Sequence, residues 1–224
     1  KENNIENLCL AGGVALNCVA NGKILKEQIF KNIWIQPAAG DAGGSLGAAL
    51  AFWYQELGNK RKPSLSSDEM NGSFLGPSFN DTEVETTLKS LNAKYEKESE
   101  ENLISLVANA LKNEKTIGWF QGRMEFGPRA LGNRSLFADP SVLDMKDKVN
   151  KVKGREEFRP FAPMILKEDS DKYFEEGISS PYMNTVRKAK IDTWHKYPCI
   201  VHLDGTSRVQ EVTEEPHRTL LEEW

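Results

Sequence analysis

The sequence predicts a mixed chain, an α/β unit followed by an α+β unit. Three observations carry that prediction. Over residues 8–57 a short apolar strand, a helical pattern, a second strand, a Gly-rich turn and another helical pattern follow one another. Residues 58–81 then lose all periodicity and are rich in Ser, Gly, Pro and Asn. Beyond them, short apolar runs alternate irregularly with amphipathic helices.

Residues 8–10 form the first strand, closed by Ala11-Gly12-Gly13. The helical pattern VALNCVANGKILKEQI follows, with Val14, Cys18, Leu25 and Ile29 on one apolar face. Gly22 weakens that helix locally. Residues 33–36 read as a second strand, ended by Pro37. In GDAGGSLGAALAFWYQEL a Gly-rich turn runs into a helix over about residues 44–57. The polar connection places a domain boundary near residue 75, with 1–75 as the first unit plus linker and 76–224 as the second. Asp81 or Thr82 can cap the next helix. Ser99-Glu100-Glu101-Asn102 opens another, with Leu103, Leu106, Val107, Ala110 and Leu111 at helical spacing. Residues 116–120 read as a buried strand, 135–138 and 162–166 as further strands, and 142–151 as a polar helix. Residues 199–212 alternate as a hairpin with Asp204-Gly205 at its turn. There are no internal repeats.

The 224 residues are 39% hydrophobic and 28% charged, the composition of an ordinary soluble globular protein. No apolar run approaches the ~18–20 residues of a membrane span. The chain lacks an initiator Met and any charged-then-apolar leader, and so reads as a piece of something longer. A net charge of −4 argues against a general nucleic-acid binder. The charge is uneven: residues 121–160 hold nine Lys and Arg against six Asp and Glu, a net +3 that leaves −7 for the rest. A local basic site on an acidic body suits a small anion. Cys9, Cys18 and Cys199 make neither a disulfide framework nor a metal motif, which fits a reducing cytoplasm. His195, His202 and His217 form no ligand pattern and read as ordinary structural or surface residues.

Two Gly-rich elements open the chemistry. AGGVALN and GDAGGSLGAA each set glycines at the start of a helix, where backbone N–H groups approach a ligand and favour an anion. Tight helix–strand packing explains either one alone, whereas two in succession favour a nucleotide. Neither is a Walker A loop and neither completes GxGxxG. Asp41 has two readings, a ligand to a phosphate-bound metal or a helix cap.

The sharper signal is GWFQGRMEFGPRALGNRS, which gathers Arg123, Arg129 and Arg134 among Gly122, Gly127, Pro128 and Gly132, with Glu125 as the one acid. NKVKGREEFRPFAP then adds Lys153, Arg155 and Arg159, the last set between Phe158 and Pro160-Phe161. The planar guanidinium fork matches phosphate or carboxylate oxygens. The alternative is a structural network of these arginines with Asp139, Glu156 and Glu157. A site for phosphate or an adenylate explains the clustering better.

Taken together, AGGVALNCVANG, GDAGGSLGAA, GRMEFGPRALGNRS and KGREEFRPFAP resemble the O-carbamoyltransferase family, which includes nodulation protein U and antibiotic-tailoring enzymes. The four motifs stand in the family's order, and the likeness runs from Leu8 to about Gln210. The resemblance implies part of an actin/sugar-kinase-like lobe followed by a small α/β carbamoyladenylate-forming (YrdC-like) lobe. It implies ATP and carbamoyl phosphate reacting in the second lobe, and carbamoyl transfer to a hydroxyl of a small-molecule acceptor in the first. Carried over by position, Gly12, Gly13 and Asn17 match residues that hold the adenosine, with Gly43 and Gly44 as further candidate cofactor-binding positions. Asp41 matches a ligand to iron or another divalent metal such as magnesium. Arg129, Lys153, Arg159 and Arg208 match basic residues that hold carbamoyl phosphate and the adenylate. Neither nucleic acid nor membrane is an expected partner.

The departures are of length. The family's metal-binding histidines precede the region matched here, and its Asn-Thr-Ser-Phe-Asn type segment follows it. The expectation is that this piece alone does not transfer a carbamoyl group. Two other classes compete. Related carbamoyl-transfer enzymes act on tRNA or in hydrogenase maturation, but the GPRALGNRS and FRPFAP motifs and the lack of zinc-finger cysteines disfavour them. A non-catalytic nucleotide- or anion-binding module would release no pyrophosphate from ATP.

Overall fold

Strands β1 (Asn7–Leu10) and β2 (Asn32–Ile35) pair in parallel, Asn7 opposite Asn32 and Leu10 opposite Ile35. Parallel neighbours need a crossover, and helix α1 (Cys18–Lys26) supplies it. This computed structural model describes residues 5–64, 68–178, 180–213 and 221–222. The architecture is mixed α/β with small sheets, as the sequence predicts. Residues Gly13–Leu16 form a 3-10 turn, so the helix begins later than the apolar pattern suggests. Asn17 explains the delay: its Oδ1 accepts the N–H of Ala20 at 3.1 Å and caps α1. Ala15, Ile35 and Ala39 form the core of this unit, with Leu10, Leu16 and Ile33 against them.

Helix α2 (Asp41–Ala51) starts three residues before the expected point and runs into a π-helical turn, Phe52–Glu56. Asp41 is its first helical residue; Gly40 holds the cap position, and no side-chain bond closes the end. The helix-cap reading of Asp41 is therefore corrected.

The connection is less free than its composition predicts. Beyond Met70 it is pinned to the arginine loop: Gly76 N–H donates to Met124 O (2.9 Å), Met124 N–H to Pro77 O (3.0 Å) and Phe126 N–H to Ser73 O (2.6 Å). Helix α3 (Asp81–Ser90) is capped by Asn80, not by Asp81 or Thr82, because Glu83 closes a reciprocal capping box with Asn80. Helix α4 (Glu100–Lys112) is capped by Ser99 and buries Val107, Ala108 and Leu111.

Strands β3 (Ile117–Phe120) and β4 (Arg134–Phe137) are antiparallel, Ile117 opposite Phe137 and Phe120 opposite Arg134. Val107 and Leu111 pack on Ile117, Trp119 and Phe137 from one side. The other face is largely open: Phe120 meets the Phe79 ring at 6.5 Å between centroids yet is 54% exposed, so β3 is half-buried instead of buried. Helix α5 (Met145–Val152) turns Met145 and Val149 onto Cys199 and Phe161.

Strand β5 (Met164–Leu166) leads into helix α6 (Lys167–Tyr173), strand β6 (Arg187–Lys188) and helix α7 (Ile191–Lys196). Strands β7 (Thr206–Ser207) and β8 (Gln210–Val212) follow. The expected hairpin over 199–212 keeps only its turn. His202 N–H donates to Thr206 O at 2.7 Å across Asp204-Gly205, with Gly205 at φ +76°. Its flanks pair elsewhere, β7 antiparallel with β6 and β8 parallel with β5, while Pro198–Ile200 coils as a 3-10 turn. Tertiary partners override the local alternation. Phe174, Ala189, Ile200, Val201 and Val209 make the core beneath them. The buried Arg187 ties this region together through Glu211 Oε1 (2.6 Å) and Asp171 Oδ1 (2.6 Å).

Candidate functional site

The arginine loop is the connection between β3 and β4, closed at its neck by Gln121 N–H donating to Asn133 O at 3.0 Å. Glu125 organises it from a position 4% exposed. Its Oε1 accepts the N–H groups of Leu131 (2.7 Å), Asn133 (3.0 Å) and Arg134 (3.1 Å), and its Oε2 accepts Arg134 Nε (2.9 Å). Burial pushes the Glu125 carboxyl upward, but the Leu131 N–H and the Arg134 guanidinium outweigh it and hold the group below its ordinary value. Arg123 ties the loop to the connection, donating from Nε to Phe74 O (3.1 Å) and from Nη2 to Leu75 O (3.4 Å). Two of the three loop arginines thus build the loop.

Arg129 is different. Gly127, at φ +124°, lets the loop approach Ala38, where an added Cβ would stand 3.2 Å from that residue. Arg129 then reaches the first unit, its Nη2 donating to Leu16 O at 2.7 Å. Its Nε is buried without a hydrogen bond, and burial pulls its pKa down.

Arg129 lines a cleft of about 550 Å³ together with Lys153, Arg155, Arg159 and Arg208. Asp139 is the one acidic side chain on that lining among the described residues, and its Oδ1 is occupied by Ser141 N–H at 2.8 Å. Arg208 carries the strain of the arrangement. Burial first, then the charges of Arg129 and Arg155, lower its pKa to about 10, and its Nε is buried without a partner. Lys153 is also depressed, by burial and then by Arg155 and Arg208. Arg155 rests 4.7 Å over the Phe161 ring and donates to Asn150 Oδ1. Arg159 lies at the rim, with its Nε 2.8 Å from Glu156 Oε2 and its side chain 51% exposed. That pair is the one part of the expected Arg–carboxylate network formed here, and an exposed pair contributes little. Cations that burial and one another destabilise are poised for an anion that would relieve both.

The structure therefore brings Arg129, Lys153, Arg159 and Arg208 to one wall system, from the β3–β4 loop, the end of α5 and the segment before β8. Sequence reading set aside His202, which also lines the cleft. Its signal was its place six residues before Arg208 in VHLDGTSR, which spacing alone does not interpret. His217 lies outside the described residues, and His195 is exposed.

The Gly-rich elements lie on the first unit. Gly12 takes φ +94° and donates its N–H to Ala39 O at 2.7 Å, and neither it nor Gly13 has an atom within 4 Å of an added Cβ. The surface over both is open to a ligand. Asn17 caps α1 with its side chain. Gly43 has an architectural reason to be glycine, since a Cβ there would lie 2.0 Å from Ala38 O, whereas Gly44 faces open space. Gly43→Ala should cost about 2 kcal/mol or more by overpacking. Gly44→Ala should gain up to about 1 kcal/mol from helix propensity. Thermal unfolding of the two variants checks the contrast. Asp41 is exposed, and among the described residues no group of three His, Cys, Asp or Glu could hold a metal. These residues alone do not fit a metal centre.

Comparison with known proteins agrees with the four motifs. The carbamoyltransferase C-terminus model matches residues 108–223 and the carbamoyltransferase N-terminus model residues 1–50. Nodulation protein NolO of Bradyrhizobium diazoefficiens is 42% identical, over 95% of this chain and 39% of its own length. Nodulation protein U of Rhizobium fredii is 33% identical, over 96% of this chain and 34% of its own. An uncharacterized protein of Synechocystis sp. is 48% identical, over 96% of this chain and 38% of its own. The chain spans well under half the length of these relatives. With one family model covering residues 108–223, the chain belongs to the carbamoyltransferase family.

Proposed function

We propose that the cleft between the arginine loop and Arg208 binds carbamoyl phosphate and the phosphate of a carbamoyladenylate. In the full-length protein that adenylate forms in two steps: water releases inorganic phosphate from carbamoyl phosphate and leaves carbamate, and a carbamate oxygen then displaces pyrophosphate from the α-phosphate of ATP. The carbamoyl group then passes to a hydroxyl of a small-molecule acceptor at the first unit, where Gly12, Gly13 and Gly44 leave an open surface. The observation that carries this reading is the lining itself: among the described residues, five cations, one carboxylate, and two buried Nε groups without partners.

The cations would act on charge. Lys153 and the guanidinium groups of Arg129, Arg155 and Arg208 supply donors to phosphate oxygens, and they stabilise the charge that builds as phosphate leaves. Because Arg129 is held by Leu16 O and Arg155 by Asn150 and Phe161, these two guanidinium groups reorganise little in that step. Asp41 would join a metal site only with ligands beyond the described residues.

The test is pyrophosphate release by the full-length protein, measured with ATP in the presence and absence of carbamoyl phosphate. Release that requires carbamoyl phosphate is expected. Lys153→Ala should lower it at least 10-fold, roughly the effect of one charge-assisted hydrogen bond of about 1.5–3 kcal/mol. Anion binding without pyrophosphate release would make the chain part of a binding module instead.

A further inference from the structure

The five cations on the cleft wall are hydrogen-bond donors, and none can accept. They suit phosphate oxygens and a carbamoyl C=O. They leave the amino group of a carbamoyl phosphate, which is a donor, without a match. His202 lines the same cleft, and its hydrogen-bond partners assign its tautomer by inference.

The chain of bonds starts at Asp204. Burial acts to raise its carboxyl, but the bonds from Thr206 outweigh this and hold it below its ordinary value, so it is ionised and can only accept. Its Oδ1 accepts both Thr206 Oγ1–H (2.7 Å) and Thr206 N–H (3.0 Å). The single hydroxyl proton of Thr206 is thereby committed. Thr206 Oγ1 also lies 3.3 Å from His202 Nδ1, and with its proton spent it serves there as acceptor. His202 Nδ1 must carry the proton. The neutral ring then has a bare lone pair on Nε2. Burial first, and the Arg208 charge after it, push the His202 pKa down against the opposing pull of Asp204, which keeps the ring neutral at neutral pH. The backbone holds the unit in place through His202 N–H to Thr206 O and Gly205 N–H to His202 O (2.9 Å).

We propose that His202 Nε2 accepts a hydrogen bond from the amino group of carbamoyl phosphate and so sets the cleft's preference for a carbamoyl phosphate over an acyl phosphate. This rests on the proposed function and adds a specificity-determining residue to it. Acetyl phosphate is the matched probe, because it replaces the amino group by a methyl and keeps every oxygen. With acetyl phosphate bound, the methyl covers the Nε2 lone pair without pairing it, a loss that amounts to roughly 10- to 100-fold in affinity.

The experiment is calorimetric titration of the full-length protein with carbamoyl phosphate and with acetyl phosphate, for the native chain, His202→Phe, His202→Gln and Asp139→Asn. The native chain should bind carbamoyl phosphate roughly 10- to 100-fold more tightly than acetyl phosphate. His202→Phe should bring that ratio close to one by weakening carbamoyl phosphate alone. His202→Gln, whose amide oxygen can accept, should keep part of it. Asp139→Asn should leave the ratio unchanged. An unchanged ratio in His202→Phe, or its loss in Asp139→Asn, overturns the role of His202 while the proposed function stands. Equal weakening of both ligands by His202→Phe and His202→Gln would also overturn it, making the residue structural. A native chain that binds neither phosphate overturns the proposed function itself.

Discussion

Arg208→Met should lose phosphate and carbamoyl phosphate binding by roughly 10- to 100-fold, the worth of one hydrogen-bonded charge, while unfolding at the same temperature as the native chain or higher. The two halves of this result come from one observation. Arg208 is buried beside Arg129 and Arg155, its pKa is drawn down to about 10, and its Nε makes no hydrogen bond. A cation in that position costs stability at neutral pH, because its charged form is disfavoured in the folded protein. The cost is present below pH 10 and relaxes as pH rises through that value, when the folded form gives up its proton more readily than the unfolded one. Met keeps most of the stem and removes the charge. Relief of about 1 kcal/mol corresponds to roughly 2–4 °C in Tm for a chain of this size. Titration calorimetry and thermal unfolding on the same variant read the two effects separately. A fall in Tm with unchanged binding would assign Arg208 to structure.

Glu125→Ala should have the opposite signature, a large loss of stability, with loss of binding as its consequence. The substitution leaves three backbone N–H groups, of Leu131, Asn133 and Arg134, and the Arg134 guanidinium without their shared acceptor. Breaking a buried pair of this kind costs about 3–5 kcal/mol. Arg129 sits inside the loop so released and would lose its aim at the cleft. The native pair also sets an acid limit. The folded carboxyl lies below its ordinary value of 4.5, so its stabilisation is complete above that pH and is lost as pH falls through the folded pKa. Denaturant unfolding of the native chain and of Glu125→Ala, repeated from neutral pH down to acid, measures both claims. The variant should be the less stable at neutral pH, and the gap should narrow in acid.

Much of the secondary structure was legible because it is local. The parallel pair β1–β2 around α1, the Gly-rich start of α2 and the Ser99 cap follow from periodicity, turn residues and capping chemistry. What misled was competition between local and distant partners. Asn80 outbids Asp81 as a cap because Glu83 is placed to reciprocate. The alternation of residues 199–212 suggested a hairpin, but β7 and β8 gain buried partners in β6 and β5. The polar connection looked free, and the carbonyls of Phe74 and Leu75 turn out to be what Arg123 holds.

The candidate site shows the same division. By residue type the three arginines of the loop are alike, and the family resemblance alone singled out Arg129; the structure gives them three jobs, Arg123 to the connection, Arg134 to Glu125 and Arg129 to the cleft. Gly43 and Gly44 are adjacent and identical in type, and only the Ala38 carbonyl separates a packing glycine from an open one. His202 carried no pattern, since its meaning lies in where the Thr206 proton goes. Residue type and spacing along the chain were enough for the family, for the strand–helix–strand order of the first unit and for the kind of charge the site would use. Which protein oxygen each cation meets was decided by tertiary structure alone, because a hydrogen bond is made to whatever oxygen folding brings within about 3 Å.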